Sequence, residues 1–386
     1  MVLFFTVMVS GQDDLEFSKE RPSNVTATPE YQMALHNVGK LIFGISNWGQ
    51  FANGDVGRSY RDAFTGAAIP DCQYPKGTRS KYLYKGGIWV GGIIGDDTLV
   101  STACNFNDNT REFNPEEFPF GEIVRRSVLD EPSYQTSLAH SQQDYEMVLF
   151  DTLVYGSRYL SFDAEEGRPH QPMNLRVTLK SYAWSYDYAD DFVIFEAKVE
   201  NISEDDAIRN LYFGVYMDPD AHEDVRNTAA TTSNTGKPPT DGDDDLAGFL
   251  YAYPASNPDC DFIDTVKIAW AIDNDGDPES ATDFIVPGIT GIRFLNPSTS
   301  NDKLSYNWWV FNYNPTYDFG PQSREHYRYM GNGIGTPLGD KSKYHLMSNS
   351  EIDYDMVYTY RISPADPVWL YPKQPYAQVF TRGQDV

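Results

Sequence analysis

The sequence contains few cysteines and few basic residues, and both shortages narrow the range of functions. Its three cysteines, Cys72, Cys104 and Cys260, are widely spaced and form no C-x-x-C pair, so neither a zinc site nor a dithiol redox motif is expected. The 30 Lys and Arg residues are outnumbered by 56 Asp and Glu residues, which gives a formal net charge of -26. Because such a surface repels phosphate backbones, we expect no nucleic-acid partner.

Long hydrophobic runs are also absent. No stretch reaches the roughly 20 apolar residues of a membrane-spanning helix, so we expect no membrane insertion. One short apolar segment, Met1–Val9 (MVLFFTVMV), is followed by small and polar residues from Ser10 onward, a pattern typical of the end of a signal peptide. We therefore expect residues 1–12 to be a signal-peptide remnant and the protein to be secreted or on the cell surface. The alternative is a buried N-terminal strand.

Recognisable catalytic motifs are missing as well. The six histidines occur in no H-E-x-x-H or H-x-H spacing, and no G-x-S-x-G motif is present, so we nominate no catalytic residue. A glycosidase needs only two well-placed carboxylates, which a sequence rich in acids cannot single out. A polysaccharide-degrading hydrolase or lyase with an acidic cleft therefore stays open as an alternative function.

Aromatic residues, glycines and prolines are plentiful, as in chains that form many short strands joined by turns. Apolar and polar residues alternate most clearly in Leu175–Lys180 and Phe192–Glu200, which predicts half-buried strands. Further strands are predicted at Lys40–Ser46, Tyr82–Ile94, Met147–Val154, Leu211–Tyr216 and Val266–Ile272. Because no long, capped helical pattern occurs, we predict an all-β fold of one or two β-sandwich domains with long acidic loops and little helix.

Composition divides the rest of the chain into three parts. Residues 13–39 are polar and predicted to be irregular, residues 40–172 to form a β-rich domain, and residues 173–386 to form a β-sandwich domain. We place the boundary at Pro169–Pro172 because prolines cluster there. We expect the last domain to be truncated at its C-terminus.

Acidic turns suggest a calcium site. Calcium prefers six to eight oxygen ligands, which alternating carboxylates on a tight loop can supply. The segment Asp273–Glu279 (DNDGDPE) has this pattern, although its glycine is at the fourth place and not at the sixth as in an EF-hand. A second acidic turn, Asp218–Asp220, follows a predicted strand, and Asp243–Asp245 forms a third. The candidate metal ligands are Asp273, Asp275, Asp277, Glu279, Asp218 and Asp220. The alternative is a set of solvated turns.

Aromatic side chains form a second candidate site. Trp308, Trp309 and Tyr313 lie among Asn, Asp and Pro residues. Flat exposed aromatic rings stack on sugars, so these three residues are candidates for glycan binding, and the alternative is that they belong to the core.

Four segments carry a resemblance to known proteins: Lys40–Phe51, Tyr74–Ser101, Ser181–Glu200 and Leu211–Asp220. They resemble the N-terminal region of large uncharacterised secreted bacterial proteins, which often have fibronectin-type-III-like modules and a C-terminal type IX secretion sorting domain. The resemblance covers most of residues 40–295. It implies export but no catalytic residues, and we expect no sorting domain at the end of this sequence.

Together these observations predict an exported, non-catalytic surface or matrix protein. Its role would be adhesion or glycan binding, with glycans or other surface proteins as partners and with calcium as a stabilising ion. Besides the enzyme alternative, the chain could be an N-terminal spacer of a larger secreted protein.

Overall fold

The computed structural model of the protein describes residues 2–10, 30–52, 54, 60–105, 110–116, 121–129, 138–153, 161–223, 245–251, 266–273, 286, 288–296, 303–309, 337–353 and 355–356. Strands dominate this part of the chain, which confirms the predicted all-β fold. In chain order the strands are β1 (Val2–Ser10), β2 (Met33–His36), β3 (Phe43–Ser46), β4 (Gln50–Phe51), β5 (Cys72–Gln73), β6 (Ser80–Leu83), β7 (Lys85–Ile94), β8 (Asp97–Thr102), β9 (Asn114–Pro115), β10 (Val124–Arg126), β11 (Gln143–Asp151), β12 (Phe162–Asp163), β13 (Arg168–Pro169), β14 (Leu175–Ala183), β15 (Phe192–Asn201), β16 (Ile208–Asp218), β17 (His222–Glu223), β18 (Leu246–Leu250), β19 (Ile268–Ile272) and β20 (Thr290–Asn296), and the described helix is α1 (Asp340–Ser348).

Two large sheets organise these strands. One has nine described strands in the order β10-β11-β14-β15-β1-β20-β19-β18, with β9 paired to β11. The other has six described strands in the order β16-β7-β4-β3-β2, with β8 also paired to β7. Apolar side chains of the two sheets pack on each other, so the architecture is sandwich-like.

The core lies between the two sheets. The nine-stranded sheet contributes Phe5, Val177 and Phe195, and the six-stranded sheet contributes Phe51 and Val90, all of them fully buried. The ring of Phe5 stacks on that of Phe195 with their centroids 4.8 Å apart, and it lies 5.8 Å from the ring of Phe51. Strand β1 thus supplies a side chain that contacts both sheets.

Alternating hydrophobicity sets the two faces of β15, as the sequence predicts. The residues predicted to point inward are all buried: Val193, Phe195, Ala197 and Val199. On the other face Glu196 is partly exposed, and its carboxylate lies 3.7 Å from the ammonium of Lys180, its neighbour on β14. Such cross-strand side-chain pairs stabilise the pairing of the two strands.

The predicted strand Tyr82–Ile94 divides at Tyr84 into β6 and β7. The remaining predicted strands overlap β3, β11, β14, β16 and β19. The turn predicted after Asn201 is also present, and the Asn201 side-chain amide donates a hydrogen bond to the carbonyl of Asp206 (2.8 Å). The predicted segments therefore overlap eight of the twenty described strands, among them the long strands β7, β11, β14, β15 and β16.

Strand β2 and helix α1 are two of the described elements that the sequence pattern did not predict. Strand β2 lies within residues 13–39, where irregular structure was expected. All four of its residues are buried, so it shows no alternation to recognise. Helix α1 begins after Gly339, which has no side chain to act as an N-cap. None of the described helical segments is long and apolar enough to cross a membrane.

The segment expected to be a signal-peptide remnant forms β1, at the centre of the nine-stranded sheet. It pairs in parallel with β15 along its whole length and with β20 from Val2 to Thr6. Leu3 and Phe5 are fully buried. This placement corresponds to the alternative of a buried N-terminal strand. Removal of the segment would take the side chains of Leu3 and Phe5 out of the core.

Strand pairing also crosses the boundary predicted at residue 172. Strand β11 pairs with β14, and β7 pairs with β16. Each large sheet therefore contains strands from both of the predicted domains, 40–172 and 173–386, and the two domains share one core.

Replacement of Phe5 by alanine should lower the free energy of unfolding by about 3–5 kcal/mol, because it leaves a cavity between the sheets. The matched control is Met8→Ala on the same strand. Met8 is 46% exposed, so this change should cost about 0.5 kcal/mol or less. Urea denaturation of both variants measures the difference. Equal, small effects would contradict the placement of β1 in the folded sheet.

Candidate functional site

Five charged side chains meet in the interior, and we call them the His170 cluster. They are Glu112, Asp151, His170, Asp340 and Lys343, and each is at most 3% exposed. The imidazole of His170 lies between two carboxylates. Its Nε2 is 2.8 Å from Oδ1 of Asp151, and its Nδ1 is 3.4 Å from Oε1 of Glu112.

Hydrogen bonds fix the two carboxylates on either side of the His170 ring. Glu112 accepts hydrogen bonds from the backbone N–H and the hydroxyl of Thr102 (2.6 and 2.8 Å). Asp151, the last residue of β11, accepts hydrogen bonds from the Ser101 hydroxyl (2.6 Å) and the Met173 backbone N–H (2.7 Å). Because several donors replace water around each carboxylate, the buried charges are compensated.

The buried charges shift one another's protonation. Burial alone would lower the pKa of His170, but Glu112 and Asp151 outweigh burial and raise this pKa to about 9. Burial would raise the pKa of Glu112, whereas His170 and Lys343 bring it below its usual value. Burial raises the pKa of Asp340 to about 6. At neutral pH His170 is therefore an imidazolium held by two carboxylates.

The network extends to the start of α1. The guanidinium of Arg168 lies 2.9 Å from the Asp340 carboxylate. The backbone N–H of Asp340 donates to Asp163 (3.2 Å), and that of Ser342 donates to Glu165 (3.1 Å). The carboxylates of Asp163 and Glu165 thus accept hydrogen bonds from N–H groups of the first helical turn. They take the role that the side chain of an N-cap residue has in other helices.

The His170 cluster does not have the geometry of a nucleophile–base–acid triad. Both ring nitrogens of His170 face carboxylates, and the Ser161 hydroxyl donates to Glu112 and not to His170. A catalytic base must contact its nucleophile, and both must be within reach of a substrate. Glu112 and Asp151 are fully buried, and the described contacts of the cluster link β11, β13 and α1.

Hydrogen bonds bring two of the predicted acidic segments next to a small hydrophobic cluster. Asp245 accepts a hydrogen bond from the backbone N–H of Ala221, the residue after Asp220 (2.6 Å). Asp273 accepts a hydrogen bond from the backbone N–H of Val286 (2.6 Å). Ala221 and Val286 pack together on Tyr82. Asp245 and Asp273, from two of the acidic segments, and Ala221, directly after the third, therefore lie at one small hydrophobic cluster.

The candidate metal ligands are only partly accounted for by this arrangement. Asp218 lies 3.9 Å from the ammonium of Lys85, so a cation of the protein is already close to it. Asp275, Asp277 and Glu279 lie outside the described residues. Within the described ranges, no group of three or more His, Cys, Asp or Glu side chains is placed to hold a metal ion.

The predicted aromatic site is partly internal. Trp308 is buried, and its backbone N–H donates to Asp353 (3.2 Å). Trp309 is partly exposed, and its ring stacks on those of Tyr216 (5.9 Å between centroids) and Trp89 (6.3 Å). Tyr313 lies outside the described residues. Trp308 is thus placed in the core, and Trp309 packs at the edge of a core cluster.

A different pair of aromatic rings is open to solvent. Tyr186 and Tyr188 lie in the turn between β14 and β15, residues 184–191, which we call the tyrosine turn. Their rings are stacked, with centroids 5.6 Å apart and planes 12° from parallel. Tyr186 is 46% exposed and Tyr188 is 80% exposed. Asp187, between them, is also exposed.

The tyrosine turn is fixed to its surroundings at several points. The Asp190 carbonyl accepts the backbone N–H of Lys40 (2.8 Å), and the two side chains form an ion pair (2.9 Å). The Ser185 backbone N–H donates to the Gln142 side chain (2.5 Å). Within the turn, the Ala189 N–H donates to the Tyr186 carbonyl (2.7 Å). The exposed rings are therefore presented by an ordered backbone.

No protein-family model, curated protein or solved structure matches the chain. The choice among the groups described above therefore depends on which side chains a ligand can reach. The His170 cluster is buried, and Trp308 is covered. The tyrosine turn combines exposure with a fixed geometry, so it is the best candidate for a binding site.

Sequence reasoning missed both the His170 cluster and the tyrosine turn, for different reasons. The cluster unites Glu112 with Lys343 and residues between them, and no local motif connects positions so far apart. The turn did carry a signal. Tyr186 and Tyr188 lie between two alternating strands, where aromatic residues have no strand face through which to reach the core.

Replacement of His170 by glutamine should destabilise the protein in a pH-dependent way. The pKa of His170 rises from 6.5 to about 9 on folding. The stability it contributes is therefore complete below about pH 6.5 and is lost as the pH rises through about 9. At neutral pH we expect a loss of about 3–5 kcal/mol in the free energy of unfolding, as for other broken buried ion pairs.

Urea denaturation of the parent and of H170Q at several pH values tests this expectation. The difference between them should be largest near pH 6.5 and shrink toward pH 9. His140→Gln is the matched control, because His140 is exposed and its replacement should have little effect. A difference that does not change with pH would contradict the charged state assigned to His170.

Proposed function

We propose that the protein is a non-catalytic glycan-binding module of a cell surface or extracellular matrix, and that the tyrosine turn contacts the glycan. One observation carries the proposal. Two stacked tyrosine rings, Tyr186 and Tyr188, are exposed on a turn that an ion pair and several hydrogen bonds hold in place.

The chemistry of the turn suits a sugar. Tyrosine offers a large flat surface with few rotatable bonds, so little side-chain entropy is lost when a ligand covers it. The apolar face of a pyranose ring can stack on Tyr188, whose outer face is free of Tyr186. The carboxylate of Asp187 can accept hydrogen bonds from sugar hydroxyls. Because the chain has a net charge of -26, a neutral glycan is favoured over an anionic one.

A location outside the cytoplasm is part of the proposal. Support comes from the acidic composition, which keeps an exported protein soluble, and from the resemblance to secreted bacterial proteins. The apolar segment Val2–Ser10 gives no independent support. The same residues cannot be both a cleaved leader and the central strand β1.

Binding of calcium is the remaining part of the proposal, and its basis is the acidic pattern of Asp273–Glu279. The position of Asp245 and Asp273 beside the Tyr82 cluster is compatible with an ion that links their segments. Such an ion would stabilise these acidic loops and would take no part in glycan contact at the tyrosine turn.

Replacement of Tyr188 by alanine should weaken glycan binding without changing stability. Loss of one stacking contact worth about 1.5 kcal/mol corresponds to roughly tenfold in affinity. Affinity electrophoresis in gels that contain neutral glucans, mannans or chitin oligosaccharides provides the measurement. The parent should be retarded by at least one of them, and Y188A less so.

Tyr251→Ala is the matched control, because Tyr251 is 59% exposed and lies outside the turn. The melting temperatures of Y188A, Y251A and the parent should agree. Equal retardation of the parent and Y188A by every glycan would contradict the role of the turn. Release of reducing sugar ends by the parent would favour the polysaccharide-degrading alternative.

Millimolar calcium should raise the melting temperature of the parent, by an amount that grows with concentration, because the ion binds the folded state alone. Differential scanning fluorimetry with calcium and then with a chelator measures the shift. In the variant with Asp275→Asn and Asp277→Asn the shift should be lost. If calcium leaves the parent's melting temperature unchanged, the calcium part of the proposal fails, and glycan binding is unaffected.

A further inference from the structure

Strand β1 fills a slot whose walls come from distant parts of the chain. On one edge Val2–Ser10 pairs with Phe192–Glu200 of β15, and on the other edge Val2–Thr6 pairs with β20. Both pairings are parallel, so neither wall is joined to β1 by a hairpin. The walls of the slot therefore do not depend on which molecule provides the strand between them.

The slot fits the pattern of side chains that β1 carries. Phe5 points inward among Phe195, Phe213 and Phe294, with ring centroids 4.8 to 6.5 Å from its own. On the opposite face Phe4 makes an edge contact with Phe192 at 5.2 Å. Alternate side-chain pockets and backbone hydrogen bonds are the features by which sheets recognise an added strand.

The connection from β1 to the next strand has ample length. Residues 11–32 lie between Ser10 and Met33, the first residue of β2. A chain of this length can span on the order of 70 Å when extended. Two packed sheets are only about 10 Å apart. The connection is therefore long enough to deliver β1 to the slot of its own molecule or to that of a neighbouring copy.

We infer that β1 exchanges between copies of this chain, so that the slot of one copy binds the β1 of a second copy in the same register. The contacts within the slot are the same in both arrangements, which makes strand exchange a low-cost route to assembly. Mutual exchange closes a dimer, and sequential exchange forms an open chain. Assembly should therefore increase with protein concentration.

Cysteine pairs placed across the slot test the inference. Met8 and Lys198 are register partners, and both side chains are partly exposed, at 46% and 37%. Neighbouring strands bring such positions within disulfide distance. M8C and K198C are made in separate full-length chains that also carry Cys260→Ser. The native thiols of Cys72 and Cys104 are buried.

The two variants are mixed at increasing concentrations and oxidised, once as folded proteins and once after joint refolding from urea. More cross-linking between M8C and K198C than random collision produces then shows that β1 of one chain has entered the slot of the other. We expect a cross-linked dimer that increases with concentration. Light scattering of the parent should show dimers or larger species over the same range.

The control mixture pairs M8C with K180C. Lys180 is also partly exposed but lies on β14, which β15 separates from β1. Cross-linking here reports random collision. If M8C with K198C gives no more dimer than this control in either arm, and the parent stays monomeric by light scattering, the inference is wrong. In that case the double variant M8C/K198C should close its disulfide within one chain.

Discussion

Backbone hydrogen bonding on both edges of β1 is the constraint on which the rest of the structure depends. In the described sheet, β1 joins the block that ends at β15 to the block that begins at β20. Without it, each block would have an unpaired edge, and the core would lose Phe5. The tyrosine turn depends on the same strand, because the Asp191 carbonyl accepts the Val2 N–H (3.3 Å). The central strand β1 is thus linked directly to the turn that carries the proposed glycan contact.

Charge has different roles inside and outside this sandwich. In the interior, the cations His170 and Lys343 are matched with the carboxyl groups around them, so their effect is on stability and its dependence on pH. At the surface the acids are in excess, and their effect is on which ligands can approach. The two effects are separable, because the His170 cluster has no described contact with the tyrosine turn.

The all-β class and the long strands β7, β11, β14, β15 and β16 could be predicted because those strands carry local signals. In β15, alternation from Val193 to Val199 specifies both the strand and its buried face. The sequence could not show that Val2–Ser10 lies between β15 and β20, because parallel pairing depends on residues far along the chain. The proximity of Glu112 and Lys343 in the His170 cluster also joins residues far apart in the chain and leaves no local signal. The burial of Trp308 could not be predicted, because the composition of a segment does not distinguish a buried ring from an exposed one. The exposure of Tyr188 could have been predicted from its position in a turn.

The parallel pairing of β1 also constrains the order of folding. During synthesis β1 is made well before Phe192 and Thr290, the first residues of its two neighbours. The apolar residues of β1 cannot be buried until both neighbouring strands have been synthesised, and contacts between such distant segments form slowly. Throughout that interval Leu3 and Phe5 have no sheet to enter, which is the condition under which nascent chains aggregate or need a chaperone. The strand that completes the sheet is therefore also the segment that most needs protection while the chain grows.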